Sequence, residues 1–90
     1  MADDFDLDEI LRALSHSDRR KFVTACLDAA KAAGELAALS HLSLATVSEH
    51  LKVLRKSGLL VLDKQGRFWM YRTDVAVLER AGREVLGLFG

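Results

Sequence analysis

Between residues 43 and 72 the chain gathers six basic residues, Lys52, Arg55, Lys56, Lys64, Arg67 and Arg72, against two acids, Glu49 and Asp63. Cations at that density suit a polyanion, because each one that neutralises a nucleic-acid phosphate releases a counterion. Interleaved with the first of them stand short side chains, Ser43, Ala45, Thr46 and Ser48, which permit the close approach that base-edge contact requires. Other chemistry is thinly supplied. The three histidines, His16, His41 and His50, form no ligand pattern and have no nucleophile constellation beside them, so the chain is not expected to be an enzyme. Cys26, the single cysteine, excludes an internal disulfide and a Cys-x-x-Cys metal knuckle, and it is expected to be a small core hydrophobe.

Composition agrees with a local rather than a global positive field. The formal net charge is zero, yet five acids (Asp3, Asp4, Asp6, Asp8, Glu9) fall in the first nine residues with no base among them, which leaves 13 bases against 8 acids in the rest. Ninety residues, half of them apolar and 29% charged, suit one domain that buries only about two thirds of its unfolded surface, so self-association is expected to complete the core. There is no proline and no run of 18 apolar residues, and the start MADDFDLDE is acidic where a signal peptide is basic and then apolar. The expected location is therefore cytoplasmic with no membrane contact. Residues 1–5 are expected to be a disordered acidic start.

Periodicity supplies the elements that position the polar residues. A first helix from about Asp6 to Ser15 carries Leu7, Ile10, Leu11 and Leu14 on one face, with carboxylates in its first turn. A second begins near Ser17, whose hydroxyl is suited to cap it, points Phe22, Val23, Cys26 and Leu27 inward and ends in an alanine-rich stretch near Lys31. A short helix over about Ala33 to Leu39, a turn, and a longer helix from about Leu44 to Ser57 then make a helix-turn-helix, with Ser43 as N-cap and Gly58 as the stop. Val47, Leu51 and Leu54 mark the buried stripe of the longer helix, so Ala45, Thr46, Ser48, Glu49 and Lys52 lie outside it.

Two strand-like runs follow, Leu59 to Leu62 and Phe68 to Tyr71, around a polar tip in which Gly66 supplies a positive φ and from which Lys64 and Arg67 project. Trp69 and Tyr71 alternate with Phe68 and Met70, which predicts that one pair faces the core while the other packs across the hairpin. That leaves no aromatic platform for single strands, and double-stranded DNA is the preferred partner. The segment Asp74 to Phe89 is a last helix, with Val75, Leu78, Ala81, Val85 and Phe89 close to one stripe. The expected fold is mainly α with a β-hairpin wing, a winged helix-turn-helix of order ααααββα. It is expected to be a homodimer through its terminal helices, with Leu7, Ile10, Leu11, Leu14, Val75, Leu78, Val85 and Phe89 at the interface. Two-fold symmetry would set two reading helices about one DNA turn apart on a pseudopalindrome.

From Leu7 to Leu88 the chain resembles the ArsR family of winged helix-turn-helix repressors. The resemblance rests on ALSHSDRRKFV (Ala13 to Val23), GEL (Gly34 to Leu36), the run from Leu42 to Leu59 that contains TVSEHLKVLRKSGL, and QGRFWMYR (Gln65 to Arg72). It implies a homodimeric repressor whose end helices form the interface and whose fourth helix enters the major groove. Thr46, Ser48 and Lys52 are then expected to approach bases with Ala45 and Glu49 beside them. Ser43, His50, Arg55, Lys56, Lys64 and Arg67 are expected to contact or orient the DNA backbone, and His50 either donates to a phosphate or to its own scaffold.

Three departures from the family pattern stand out. His41 occupies a turn position usually held by Gly, Ser40 replaces a core Leu whose packing Leu39 is expected to take over, and Glu49 sits where a basic residue or an uncharged polar one is common. A carboxylate facing DNA repels it unless it accepts from a cytosine amino group or pairs with Lys52. The metal positions of the family are also altered. Its thiolate site would fall on Ala32 and Gly34, and its last-helix site would leave Asp74, Glu79 and Glu84 with no histidine after His50. No metal and no cofactor are expected, and regulation is expected from concentration, a protein partner or an organic ligand at the dimer interface. The competing reading is a winged dimer that acts through protein–protein contacts with another regulator.

Overall fold

The computed structural model describes residues 4–90. Its elements run α1 (Leu7–Leu14), α2 (Ser17–Ala25), β1 (Lys31–Ala32), α3 (Ala33–Ser40), α4 (Leu44–Ser57), β2 (Leu60–Gln65), β3 (Phe68–Thr73) and α5 (Val75–Leu86), closed by a 3-10 turn over Gly87–Phe89. Of the start expected to be disordered, residues 1–3 lie outside the described residues. Asp4 is exposed, while Phe5 is half-buried with the Arg80 guanidinium 4.1 Å from its ring centre.

Side chains at the helix ends explain most of the boundaries. Asp6 caps α1 by accepting from the Glu9 amide at 3.1 Å, and Asp74 caps α5 by accepting from Val77. At α2 the expected cap is corrected: His16 Nδ1, and not the Ser17 hydroxyl, accepts from the Asp18 amide at 3.2 Å. The glycine at position 58 ends α4 with φ +87, a left-handed conformation that costs a side-chain-bearing residue about 1–2 kcal/mol. Ser57 supports the same stop from inside, donating to the Leu54 carbonyl at 2.8 Å and accepting from the Leu59 amide.

Helix α2 is shorter than its alanine-rich continuation suggests. It stops at Ala25, and Lys31–Ala32 instead pairs antiparallel with β3, Lys31 opposite Tyr71 and Ala32 opposite Met70. The sheet therefore has three strands in the order β1-β3-β2, and the chain order is ααβααββα rather than ααααββα. Thr73 locks β3 to the end of α2: its hydroxyl donates to the Val23 carbonyl at 2.7 Å and its amide to the Cys26 carbonyl at 3.1 Å. The expected hairpin is present with longer strands and a tip reduced to Gly66 and Arg67, and Gly66 has the expected positive φ of +63.

The core joins Ile10 and Ala13 of α1, Phe22 and Val23 of α2, Cys26, Leu36 of α3, the α4 stripe Val47, Leu51 and Leu54, then Leu59, Leu60, Tyr71 and Ala81. Phe22 is fully enclosed, and its truncation to alanine is expected to cost about 3–5 kcal/mol. Several expected core positions differ. Leu27 lies past the end of α2 and is exposed, and Leu39 is 55% exposed and takes over no packing. Ser40 satisfies itself instead, donating to the Ala37 carbonyl and accepting from the Leu42 amide, which fastens the turn of the motif. On the hairpin neither expected pair holds together: Tyr71 is buried and Met70 half-buried, but Phe68 and Trp69 stand in solvent beyond the reach of the core.

Ile10 also moves out of the expected interface set, because it is wholly enclosed within its own chain and offers no surface to a second copy. Leu7, Leu14 and Leu78 are half-buried against the core. Leu11, Val75, Val85 and Phe89 present apolar surface to solvent, together with Leu86 and Leu88 at the end of α5.

Candidate nucleic-acid interface

Helix α4 starts at a doubly used serine. Ser43 Oγ accepts from the Thr46 amide at 3.2 Å and donates to Thr46 Oγ1 at 2.9 Å, so these two hydroxyls form one small polar corner at the helix start. The Thr46 hydroxyl keeps its own proton for a further acceptor. Ala45, Thr46, Ser48, Glu49, Lys52, Arg55 and Lys56 are all exposed, as the sequence stripe requires when Val47, Leu51 and Leu54 are turned inward. Glu49 forms no ion pair among the described residues, so of the two ways to relieve its repulsion of DNA, pairing with Lys52 is not made.

The C-terminal half of α4 and the strand β2 enclose an open groove of about 760 Å³, lined by Lys52, Arg55, Lys56 and Lys64 with Leu60, Val61 and Leu62 beneath them. Three of the expected phosphate contacts, Arg55, Lys56 and Lys64, thus meet on one surface with Lys52 although they come from a helix and a strand. Lys64 lies in β2 rather than at the tip, paired opposite Trp69 with its ammonium 5.0 Å from the centre of that ring, a cation–π contact that orients it. Arg67 stands alone at the exposed tip, outside the groove lining. Arg72 leaves the positive set because its Nε donates to Asp63 Oδ2 at 3.1 Å across the hairpin, diagonally to the Asp63–Met70 pair.

At the turn between α3 and α4, His41 takes φ +60, the left-handed conformation that glycine adopts most readily. The histidine stands just past α3 as its C-cap, its amide donating to the Ala37 carbonyl.

His50 is placed differently from its neighbours. It is half-buried, with its ring centre 4.4 Å from that of His16 and 6.3 Å from that of Phe22. Burial lowers its pKa below the ordinary 6.5, the His16 and Arg19 charges lower it further, and Asp18 opposes them. The Arg19 side chain is itself fixed by donating to the Ala13 carbonyl at 2.8 Å. The expectation that no two histidines form a ligand pattern is therefore corrected: His16, Asp18 and His50 bring one ligand atom each to within 4.8 Å of the others. Position 50 follows the buried Val47 by three and precedes the buried Leu54 by four, so the helical wheel puts it on the margin facing α2. What the wheel lacks is the partner, which arrives from 34 residues away.

Set beside known proteins, residues 9–63 match a family model described as a helix-turn-helix domain. Among solved structures the chain is similar to an ArsR-like transcriptional regulator from Rhodococcus sp. RHA1, with 29% identity, coverage of 91% of this chain and 77% of that one, and a TM-score of 0.81. It is similar to a possible transcriptional regulator for arsenical resistance at 28% identity, 99% and 85% coverage and a TM-score of 0.76. It is also similar to the cadmium metal-sensor CMTR from Mycobacterium tuberculosis at 34% identity, 87% and 81% coverage and a TM-score of 0.69. A comparison with curated proteins finds no significant match.

Proposed function

Because the chain belongs to the helix-turn-helix domain family and to the ArsR/SmtB-like superfamily of winged helix-turn-helix transcriptional regulators, we propose that it is a homodimeric repressor that binds a pseudopalindromic operator in double-stranded DNA. The families it matches are regulators and not catalysts, and the chain is not an enzyme.

The observation that carries this reading is the groove shared by Lys52, Arg55, Lys56 and Lys64, which continues the exposed small-residue face at the start of α4. A duplex laid along that surface meets Thr46 and Ser48 at base edges, with Ala45 and Glu49 beside them, while Lys52, one turn further along α4, reaches the first phosphate of the groove. Arg55, Lys56, Lys64 and Arg67 then meet phosphates, and Ser43 lies at the positive end of the helix dipole. His50 acts by orienting α4 rather than by touching DNA, since its ring packs on His16.

The dimer rests on exposed apolar surface at the chain ends, where Val85, Leu86, Leu88 and Phe89 of the last helix and turn and Leu11 of α1 have no cover. Burying such surface in a symmetric pair gains about 25 cal/mol per Å² and spaces two copies of α4 for successive major grooves. Positions 32 and 34, and the carboxylates of α5, supply no thiolate or imidazole, so repression in this reading is relieved by a protein partner or an organic ligand at that interface.

Selection of bound duplexes from a random pool tests the proposal. Enrichment of a palindrome with half-sites about one helical turn apart supports it. Failure to bind any duplex at low salt overturns it and favours a winged protein that acts by contact with another regulator.

A further inference from the structure

We infer that His16, Asp18 and His50 form a binding site for one divalent transition-metal ion of zinc-like preference, which clasps the start of α2 to the middle of α4. Each of the three offers a ligand atom, and these atoms lie within 4.8 Å of one another. The two imidazoles lie at 50° to each other with ring centres 4.4 Å apart, and Asp18 Oδ2 is 3.9 Å from His16 Nδ1. Two nitrogens and one carboxylate oxygen suit a borderline ion such as Zn²⁺ or Co²⁺, whereas Mg²⁺ and Ca²⁺ prefer all-oxygen shells. All three residues are half-buried, which leaves one side open for a water ligand and a path for entry.

Bond lengths of about 2.0–2.1 Å place tetrahedral ligand atoms ~3.3 Å apart, so loading the site draws the three groups together by roughly 1 Å. Little at Asp18 opposes that movement. Among the described residues Asp18 has one other ion-pair partner, Lys21, at 4.0 Å and largely in solvent. The neighbouring Arg19 guanidinium, fixed on the Ala13 carbonyl, acts on His50 and adds a repulsion that the ion must overcome. One existing bond must yield: His16 Nδ1 accepts from the Asp18 amide, and it either exchanges that hydrogen bond for the ion or receives the proton that leaves Nε2 when Nε2 coordinates. The helix cap and the ion therefore compete for the same imidazole, which makes the affinity lower than that of a closed structural site.

None of the three residues coincides with positions 32 and 34 or with Asp74, Glu79 and Glu84, where the family resemblance puts its sensing sites. Nor does an ion here need DNA or a second subunit, so the clasp stands or falls separately from the repressor reading.

The test is a zinc titration of the full chain at pH 7.5 against a chromophoric chelator, with thermal unfolding read in parallel. One equivalent per chain binds, and the midpoint of unfolding rises with zinc concentration. His16→Asn keeps a capping side chain but removes the imidazole, and it weakens binding roughly tenfold or more, as does His50→Gln. Cobalt in place of zinc gives the visible absorption of a low-coordinate site in the wild type and loses it in both variants. If His50→Gln fails to fold, His16→Asn decides alone. Absence of binding at micromolar zinc, or an affinity that survives His16→Asn, overturns the site.

Discussion

Replacing both Lys52 and Lys56 by glutamine should flatten the salt dependence of DNA binding without dismantling the fold. The two residues are one helical turn apart on α4 and line the same groove. Neither is in an ion pair among the described residues, so their removal strands no buried partner. Glutamine keeps almost the same helix propensity, and the loss of a cation from the last turn costs about 0.3–1 kcal/mol of dipole interaction at most. Each neutralised phosphate contributes about 0.9 to the slope of log K against log salt, so four lost cations in a dimer lower that slope by about 3.6. Between about 50 and 200 mM salt the wild-type affinity would then fall roughly 150-fold further than that of the variant. A monomer would show half the change in slope, about 1.8, so the experiment counts subunits as well. Fluorescence anisotropy of a labelled duplex across that range measures it, with circular dichroism to verify folding. A slope equal to that of the wild type would refute the placement of phosphates in the groove, whatever happened to the affinity itself.

Three further outcomes follow from the fold. Gly58→Ala meets no atom within 4 Å of its new Cβ, so its expected cost is the backbone strain alone, about 1–2 kcal/mol in chemical denaturation, and a neutral result would contradict the φ of +87. Thr73→Val preserves shape but deprives the buried Val23 carbonyl of its donor, which should lower stability by about 1–3 kcal/mol, with Thr73→Ser recovering part of the loss. Burial, aided by Glu35 and opposed by Lys31 and its backbone, pushes the Cys26 thiol from 9.0 up to about 11. Native protein at pH 8 should therefore alkylate about a hundredfold more slowly than unfolded chain. Since the folded form holds this proton more tightly, the corresponding contribution to stability is complete below pH 9 and is lost as pH rises through about 11, which urea titrations at stepped pH would show.

The parts of the molecule legible in the sequence are those governed by local rules. The α4 boundaries follow from a serine cap, a stripe at helical spacing and a stopping glycine, and the structure has them at Ser43, Val47/Leu51/Leu54 and Gly58. The hairpin follows from two apolar runs about a glycine. Strand β1 was hidden because Lys31 and Ala32 lie in a run of helix formers; only the open edge at Met70 and Tyr71, contributed from 40 residues away, makes them a strand. His16 and His50 were hidden for the same reason, since α2 must dock on α4 before they share a surface. Leu39 misleads in the opposite direction. A leucine in a short helix invites a core assignment, yet Leu36 already fills the interior position and Leu39 is left outside. The cationic groove was half legible: the residue types were plain, but the Asp63 pairing that removes Arg72 from it depends on hairpin register.

The shortness of β1 has a consequence for how the protein behaves in concentrated solution. It covers β3 only at Tyr71 and Met70, so toward the tip the outer side of β3 and the whole outer side of β2 leave backbone donors and acceptors unclaimed. Such borders are templates for a foreign strand, and here they sit beside Phe68 and Trp69, both more than half exposed. What guards them is charge: Asp63, Lys64, Arg67 and Arg72 punctuate this stretch, so each strand that adds to the border must bring like charges into line. The basic side chains proposed to meet phosphates from the wing therefore also oppose edge-to-edge pairing, and neutralising them removes both effects together.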